Sequence, residues 1–150
     1  HDALPISLGG WVSDRVGSGS RVTAWSTITQ VLAALGVAYF ISQARAAATP
    51  EVYWTPFFAL FMVLFVATGV GNGSTFRSIP YIFPKDQAGP VLGWTSAIAA
   101  YGAFMIPIIF GQQIKAGYPE RALYGFTAYY VVCLALNWYY YDRKGSGIRC

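Results

Sequence analysis

The sequence predicts an all-α membrane protein that crosses the bilayer four times. Three observations carry this: charged residues are scarce, four long windows lack them altogether, and the links between those windows are short and marked by Pro or Gly. Of 150 residues only 11% are Asp, Glu, Lys or Arg, against 55% hydrophobic and 17% aromatic. A soluble domain carries about a quarter charged residues. Residues 22–44, 52–76, 87–114 and 122–141 contain none. A helix needs about 20 mostly apolar residues to cross the hydrocarbon, and every window is that long. Folded as a soluble core, four such helices would leave the chain without a polar surface.

The first span is expected over about 22–43, and Pro50 in the link ARAAATPEVY ends it. The second covers about 54–83, punctuated by Pro80 and Pro84, and the link KDQAGP follows. The third runs over about 91–112, and KAGYPER, with Gly117 and Pro119, is a turn by composition. The fourth, about 122–141, ends in WYYYDRK, aromatic residues and basic anchors suited to a membrane interface. Four helices on short links are expected to lie as antiparallel neighbours. Residues 8–21 read as a polar loop and 142–150 as a tail.

Lys and Arg set the orientation. Arg15, Arg21, Arg77, Lys85, Arg143, Lys144 and Arg149 fall on one side, and Arg45, Lys115 and Arg121 on the other. Seven against three puts the 8–21 segment and the C-terminus in the cytoplasm. The net charge of +4 is thus a topology signal, and without a clustered basic face it gives no nucleic-acid partner. Cys133 lies inside the fourth span and Cys150 is the last residue, so no disulfide is expected. His1 is the only histidine, which excludes paired-histidine haem ligation and histidine metal sites. No cofactor or metal is expected, and no nucleophile–base pair supports an enzyme.

Three segments carry information. In GGWVSDRVGSGSR the glycines Gly9 and Gly10 allow close turns, Asp14 can cap or pair, and Arg15 and Arg21 suit anionic lipid or a helix end. In GVGNGSTFRSIPYIF a helix puts Gly69, Asn72, Gly73, Phe76 and Arg77 on one face. Glycines there, with Gly71 beside them, permit close helix approach. Asn72 offers amide donors and Phe76 a flat apolar surface. Arg77 is a cation for an anion or for the interface. Packing seam and substrate contact both fit this face. In GWTSAIAAYGAFMIP, Ser96, Ala99 and Ala103 share a face, and Ser96 and Gly102 are where a hydroxyl or backbone can meet a ligand.

The first segment resembles the G-x-x-x-D-R-x-G-x-R loop of the major facilitator superfamily. The other two, in order, resemble the tenth helix and the eleventh-helix signature of its nitrate/nitrite porters, a similarity extending over about residues 8–141. The resemblance implies a partial major facilitator fold, helices nine to twelve of an expected twelve, with the earlier helices as partners in the same protein. It implies transport of nitrate or nitrite across a bacterial inner membrane by rocking of two halves, with Phe76 in an aromatic clamp and Asn72 and Ser96 as donors. Alanine stands at Ala99 and Ala103 where the signature commonly has glycine. A family arginine that binds substrate falls at about Ile6, so either the protein lacks that arginine or residues 1–7 are not native sequence. No Asp, Glu or His lies within a span, which fits nitrate/nitrite exchange, while proton-coupled uptake stays open. The alternatives are a facilitator porter for another small anion or metabolite, or a non-transporting membrane anchor subunit.

Overall fold

The computed structural model describes residues 4–143, with side chains from Gly9 onward. The expectations for residues 1–7, including the arginine position at Ile6, and for the tail beyond Arg143 lie outside what is described.

Helix α1 spans Leu4–Val16, α2 Gly19–Ala46, α3 Trp54–Ile82, α4 Lys85–Lys115 and α5 Glu120–Asn137. A 3₁₀ turn, Pro50–Tyr53, precedes α3, and a π turn, Trp138–Asp142, continues α5. No strand occurs among the described residues. Residues 8–16, expected as loop, are therefore helix, because their glycines sit against a neighbouring helix rather than in turns. Gly17 makes the turn: its φ of +70° is open to glycine, and its N–H donates to Ser13 O at 2.9 Å. Extended Ser18 then caps α2, its hydroxyl accepting from Arg21 N at 3.4 Å.

The link 85–90 is likewise helical. Pro84 stands at its N-terminal cap position, where a missing N–H goes unnoticed, so α3 stops at Ile82 and α4 starts at Lys85. The turn before α5 forms as its composition predicts. Gly117 has φ +82°, Tyr118 N–H donates to Gln113 O at 3.0 Å, and Pro119 follows.

Three helices, α2, α4 and α3 with its preceding turn, are long and apolar enough to cross a bilayer. Helix α5 with the π turn after it is helical from Glu120 to Asp142, over the expected 122–141, and includes Glu120, Arg121, Asn137 and Asp142. The expected antiparallel row of neighbours is not what packs. Helix α2 is the hub, lying along α3 on one side and α5 on another, while α1 rides on α3. Helix α4 meets α3 and α5 at few positions and buries no residue. The physical reason is side-chain size. Helix α2 carries Ala33, Ala34 and Ala38, all but fully buried, and Gly36, where an added Cβ would stand 2.6 Å from Leu60 Cδ1. Small residues let backbones approach, which drives helix association where lipid removes the hydrophobic gain. Helix α4 instead presents Trp94, Tyr101 and Phe104 outward, and only Phe110 reaches the core formed by Ala34, Val37, Ala38 and Leu123.

Polar contacts lock the α2–α3 seam inside the apolar span. Ser26 Oγ donates to Ala67 O at 2.6 Å, and Gln30 Nε2 donates to the same oxygen at 3.1 Å. Interhelical bonds of this kind contribute about 0.6 kcal/mol on average in membranes. Gln30→Leu is expected to cost about that much, and Ser26→Ala/Gln30→Leu less than the sum, because both donors share one acceptor. Equilibrium unfolding in mixed micelles measures it.

Candidate functional site

The glycine-rich end of α1 and the second half of α3 form one unit. Gly9 is buried, and a Cβ built there would collide with Val70 O and lie 3.1 Å from Ser74 N. Only glycine permits that crossing. A Cβ on Gly10 would meet Arg77 Cδ at 3.7 Å, ordinary contact, so the arginine's stem lies along α1. Its guanidinium pairs with Asp14, donates to Tyr81 Oη at 3.1 Å and sits 5.0 Å from that ring's centre. Arg77 is thus committed to Asp14 and offers no uncompensated charge to an anion. Arg15 stacks on Trp11 at 4.1 Å, and Arg21 is exposed at the start of α2.

The stripe expected on α3 is split between two surroundings. Gly73 is buried; Gly69, Phe76 and Arg77 are half-covered, and Asn72 is exposed. Gly71 points to α2, where a Cβ would come 2.6 Å from Ser26 Oγ and 3.2 Å from Gln30 Nε2. Gly71 therefore makes the seam. Asn72 looks out from a face it shares with Thr68 and Thr75, four residues before and three after. Both threonines give their protons to their own helix, Thr68 to Leu64 O and Thr75 to Gly71 O, each at 2.8 Å. Asn72 makes no hydrogen bond among the described residues, so its amide hydrogens are the donors this face has free.

On α4, Ser96 and Ala103 are exposed, while Ala99 and Gly102 line a cavity of about 790 Å³ against α5, with Gln113 and Arg121 at one end. The described chain does not bring Asn72 and Phe76 together with Ser96 and Gly102, since α3 and α4 touch at few positions. Among the described residues no group of three His, Cys, Asp or Glu side chains is placed to hold a metal.

Sequence reasoning passed over four polar features. Ser26 and Gln30 bond Ala67 O; their spacing of four in a charge-free span was the available signal. Thr23 and Ser74 hydroxyls meet at 2.8 Å. Asp142 joins the end of α5 to the start of α2, accepting from Ser20 Oγ at 2.9 Å and Asn137 Nδ2 at 3.3 Å. At the opposite end Arg45 pairs with Glu120 at 2.6 Å.

No family model matches the chain. Curated relatives do. The probable nitrate/nitrite antiporter NarK2 of Thermus thermophilus is 39% identical over 150 residues, covering 99% of this chain and 32% of the relative. The nitrate/nitrite transporter NarU of Escherichia coli K12 is 32% identical, covering 95% of this chain and 34% of the relative. The nitrite extrusion protein of Bacillus subtilis is 34% identical over 83 residues, covering 53% of this chain and 20% of the relative. The chain spans about a third of the length of the first two.

Proposed function

This chain belongs to the nitrate/nitrite porters of the major facilitator superfamily, and from that premise we propose that it is part of a transporter moving nitrate, nitrite or both by alternating access. It is an integral membrane protein, in keeping with its long apolar helices and its relatives. The observation that carries the reading is similarity to nitrate/nitrite transporters over nearly all of the chain.

In this proposal α2 to α5 are helices nine to twelve, and the rest of the protein and the bilayer cover the faces of α4. The end bearing Arg21, Lys85 and Arg143 lies in the cytoplasm, on the inner face of a bacterial inner membrane. Phe76 contributes an apolar face for a planar ion, Asn72 and Ser96 give hydrogen bonds, and Gly102 allows close approach. Gly69, Gly71, Gly73, Ala99 and Ala103 set helix spacing. Gly9, Gly10, Asp14 and Arg77 tie α1 to α3. Nitrate is planar and weakly hydrated, and guanidinium groups match its paired oxygens. With Arg77 paired to Asp14, those guanidinium groups belong to the remainder of the transporter.

Asn72→Ala is expected to raise the nitrate concentration for half-maximal flux about tenfold, the loss of a hydrogen bond to a charged group. Unchanged flux kinetics at normal expression would remove Asn72 from the site. Exchange is tested with proteoliposomes of the full-length protein, loaded with nitrite and held without a proton gradient. Nitrate uptake is expected, and its absence while a proton gradient restores flux would replace exchange by symport.

A further inference from the structure

Tyr130 stands about 15 Å along α5 from Glu120, at 1.5 Å per residue, near the middle of a hydrocarbon layer about 30 Å thick. That is too deep for the aromatic belt of the interface, where a tyrosine hydroxyl meets water. A phenol in such surroundings needs a partner, and the partner of Tyr130 is the Thr68 side chain. Thr68 is the middle residue of α3 and so lies at matching depth. It gives its own proton to Leu64 O at 2.8 Å, which leaves Tyr130 as the donor and Thr68 as the acceptor. The adjacent Tyr129 behaves differently: it is exposed and bonds Cys133 on its own helix.

The bond between Tyr130 and Thr68 crosses a gap. The backbones of α3 and α5 do not approach each other, and both helices pack on α2. The Tyr130 side chain also borders the open-sided, mostly apolar groove between α4 and α5, with Ala99 and Gly102 on its other wall. It therefore stands between two surfaces that the described chain leaves apart, the Thr68–Asn72 face of α3 and the signature wall of α4.

We propose that Tyr130 is a positioning residue for the Asn72 face. Its proton is committed to Thr68, so it is not itself a ligand of the anion. It acts by holding the turn of α3 on which Asn72 stands, since Thr68 precedes Asn72 by one turn on the same face. Gly69, Gly71 and Gly73 follow in that stretch, and glycine leaves a helix more freedom to bend. A brace from α5 counters that freedom where the donor must be aimed. The inference rests on the reading of the Asn72 face as a nitrate or nitrite site.

Nitrate uptake by the full-length protein in proteoliposomes tests it, with Asn72→Ala as the reference. Tyr130→Phe removes only the hydroxyl. It is expected to raise the nitrate concentration for half-maximal flux about threefold, the worth of an average interhelical bond. Maximal flux is expected to stay unchanged, and the unfolding midpoint in detergent to stay within about 2 °C of the parent. Thr68→Val is expected to reproduce the shift, and Thr68→Ser, which keeps the acceptor, to retain the parent value. Tyr130→Phe/Thr68→Val is expected to go no further than either change alone. Unchanged half-saturation in Tyr130→Phe, while Asn72→Ala still shifts it, would overturn this proposal alone; if neither shifts, the reading of the face fails with it. A Tyr130→Phe effect that Thr68→Val does not share would also overturn it, because the hydroxyl would then act on the anion directly. So would a lowered midpoint with unaltered half-saturation, the mark of a bond that only holds the fold.

Discussion

Replacing Arg45 with alanine is expected to destabilise the protein by about 3 kcal/mol, because it leaves a buried carboxylate without its counter-charge. Arg45 Nη2 lies 2.6 Å from Glu120 Oε1, its Nη1 donates to Gly117 O at 2.7 Å, and its guanidinium rests 4.7 Å from the centre of the Tyr118 ring. The Glu120 side chain is only 8% exposed, and its second oxygen has no partner among the described residues. Without Arg45 that charge has only the first turn of α5 to offset it, an effect of about 0.3–1 kcal/mol. Glu120→Gln is expected to cost less, since it removes the charge that needs compensation. In the Arg45→Ala background Glu120→Gln is expected to recover part of the loss. Arg45→Lys is expected to rescue incompletely, because an ammonium lacks the fork that reaches both Glu120 and Gly117. Unfolding midpoints of the four variants in detergent check this; an Arg45→Ala loss of the same size with and without Glu120→Gln would refute it.

Gly9→Val carries the second large effect. The clash it creates is with backbone, Val70 O first and then Ser74 N at 3.1 Å, so no rotamer change relieves it. Helix α1 must move off α3, an overpacking cost of about 1–3 kcal/mol, and the shift parts Asp14 from Arg77. Gly10→Ala is the matched control, since its added Cβ meets only Arg77 Cδ at 3.7 Å. Stability close to that of the unsubstituted protein is expected for Gly10→Ala and a clear loss for Gly9→Val. A Gly9→Val protein as stable as the parent would contradict the close crossing of α1 and α3.

What the sequence made legible follows from which forces act locally. Absence of charge marks where a helix can be buried in lipid, and most of the charge-free window 52–76 is α3, Trp54–Ile82, which runs on past Arg77. Helix ends outside the apolar windows were less legible, because charged residues do not stop a helix. Lys85–Pro90 is helical beyond Pro84, and α1 runs through GGWVSDRV. Glycine was the ambiguous letter: Gly17 turns the chain, whereas Gly9 and Gly71 are contact points that only a neighbouring helix reveals. The same limit applies to the candidate site. A helical wheel puts Asn72 and Gly73 on one face, and packing sends Gly73 inward and leaves Asn72 open. Arg77 suits an anion or an interface by sequence, and only the fold brings Asp14 beside it. For α4, which buries nothing among the described residues, the reading of Ser96 and Gly102 as substrate contacts rests on the family resemblance.

The Asn72 face of α3 is proposed to meet nitrate or nitrite in a membrane transporter. Thr68 lies one turn from Asn72 on that face and is exposed, so a thiol placed there reports on the site without removing a proposed ligand. In full-length protein cleared of its native cysteines, Cys133 and Cys150 among them, the labelling rate of Thr68→Cys by a small charged thiol reagent is measured with and without substrate. Nitrate and nitrite, but not sulfate, are expected to slow labelling several-fold. Labelling that is indifferent to nitrate, in a variant that still transports it, would contradict the account.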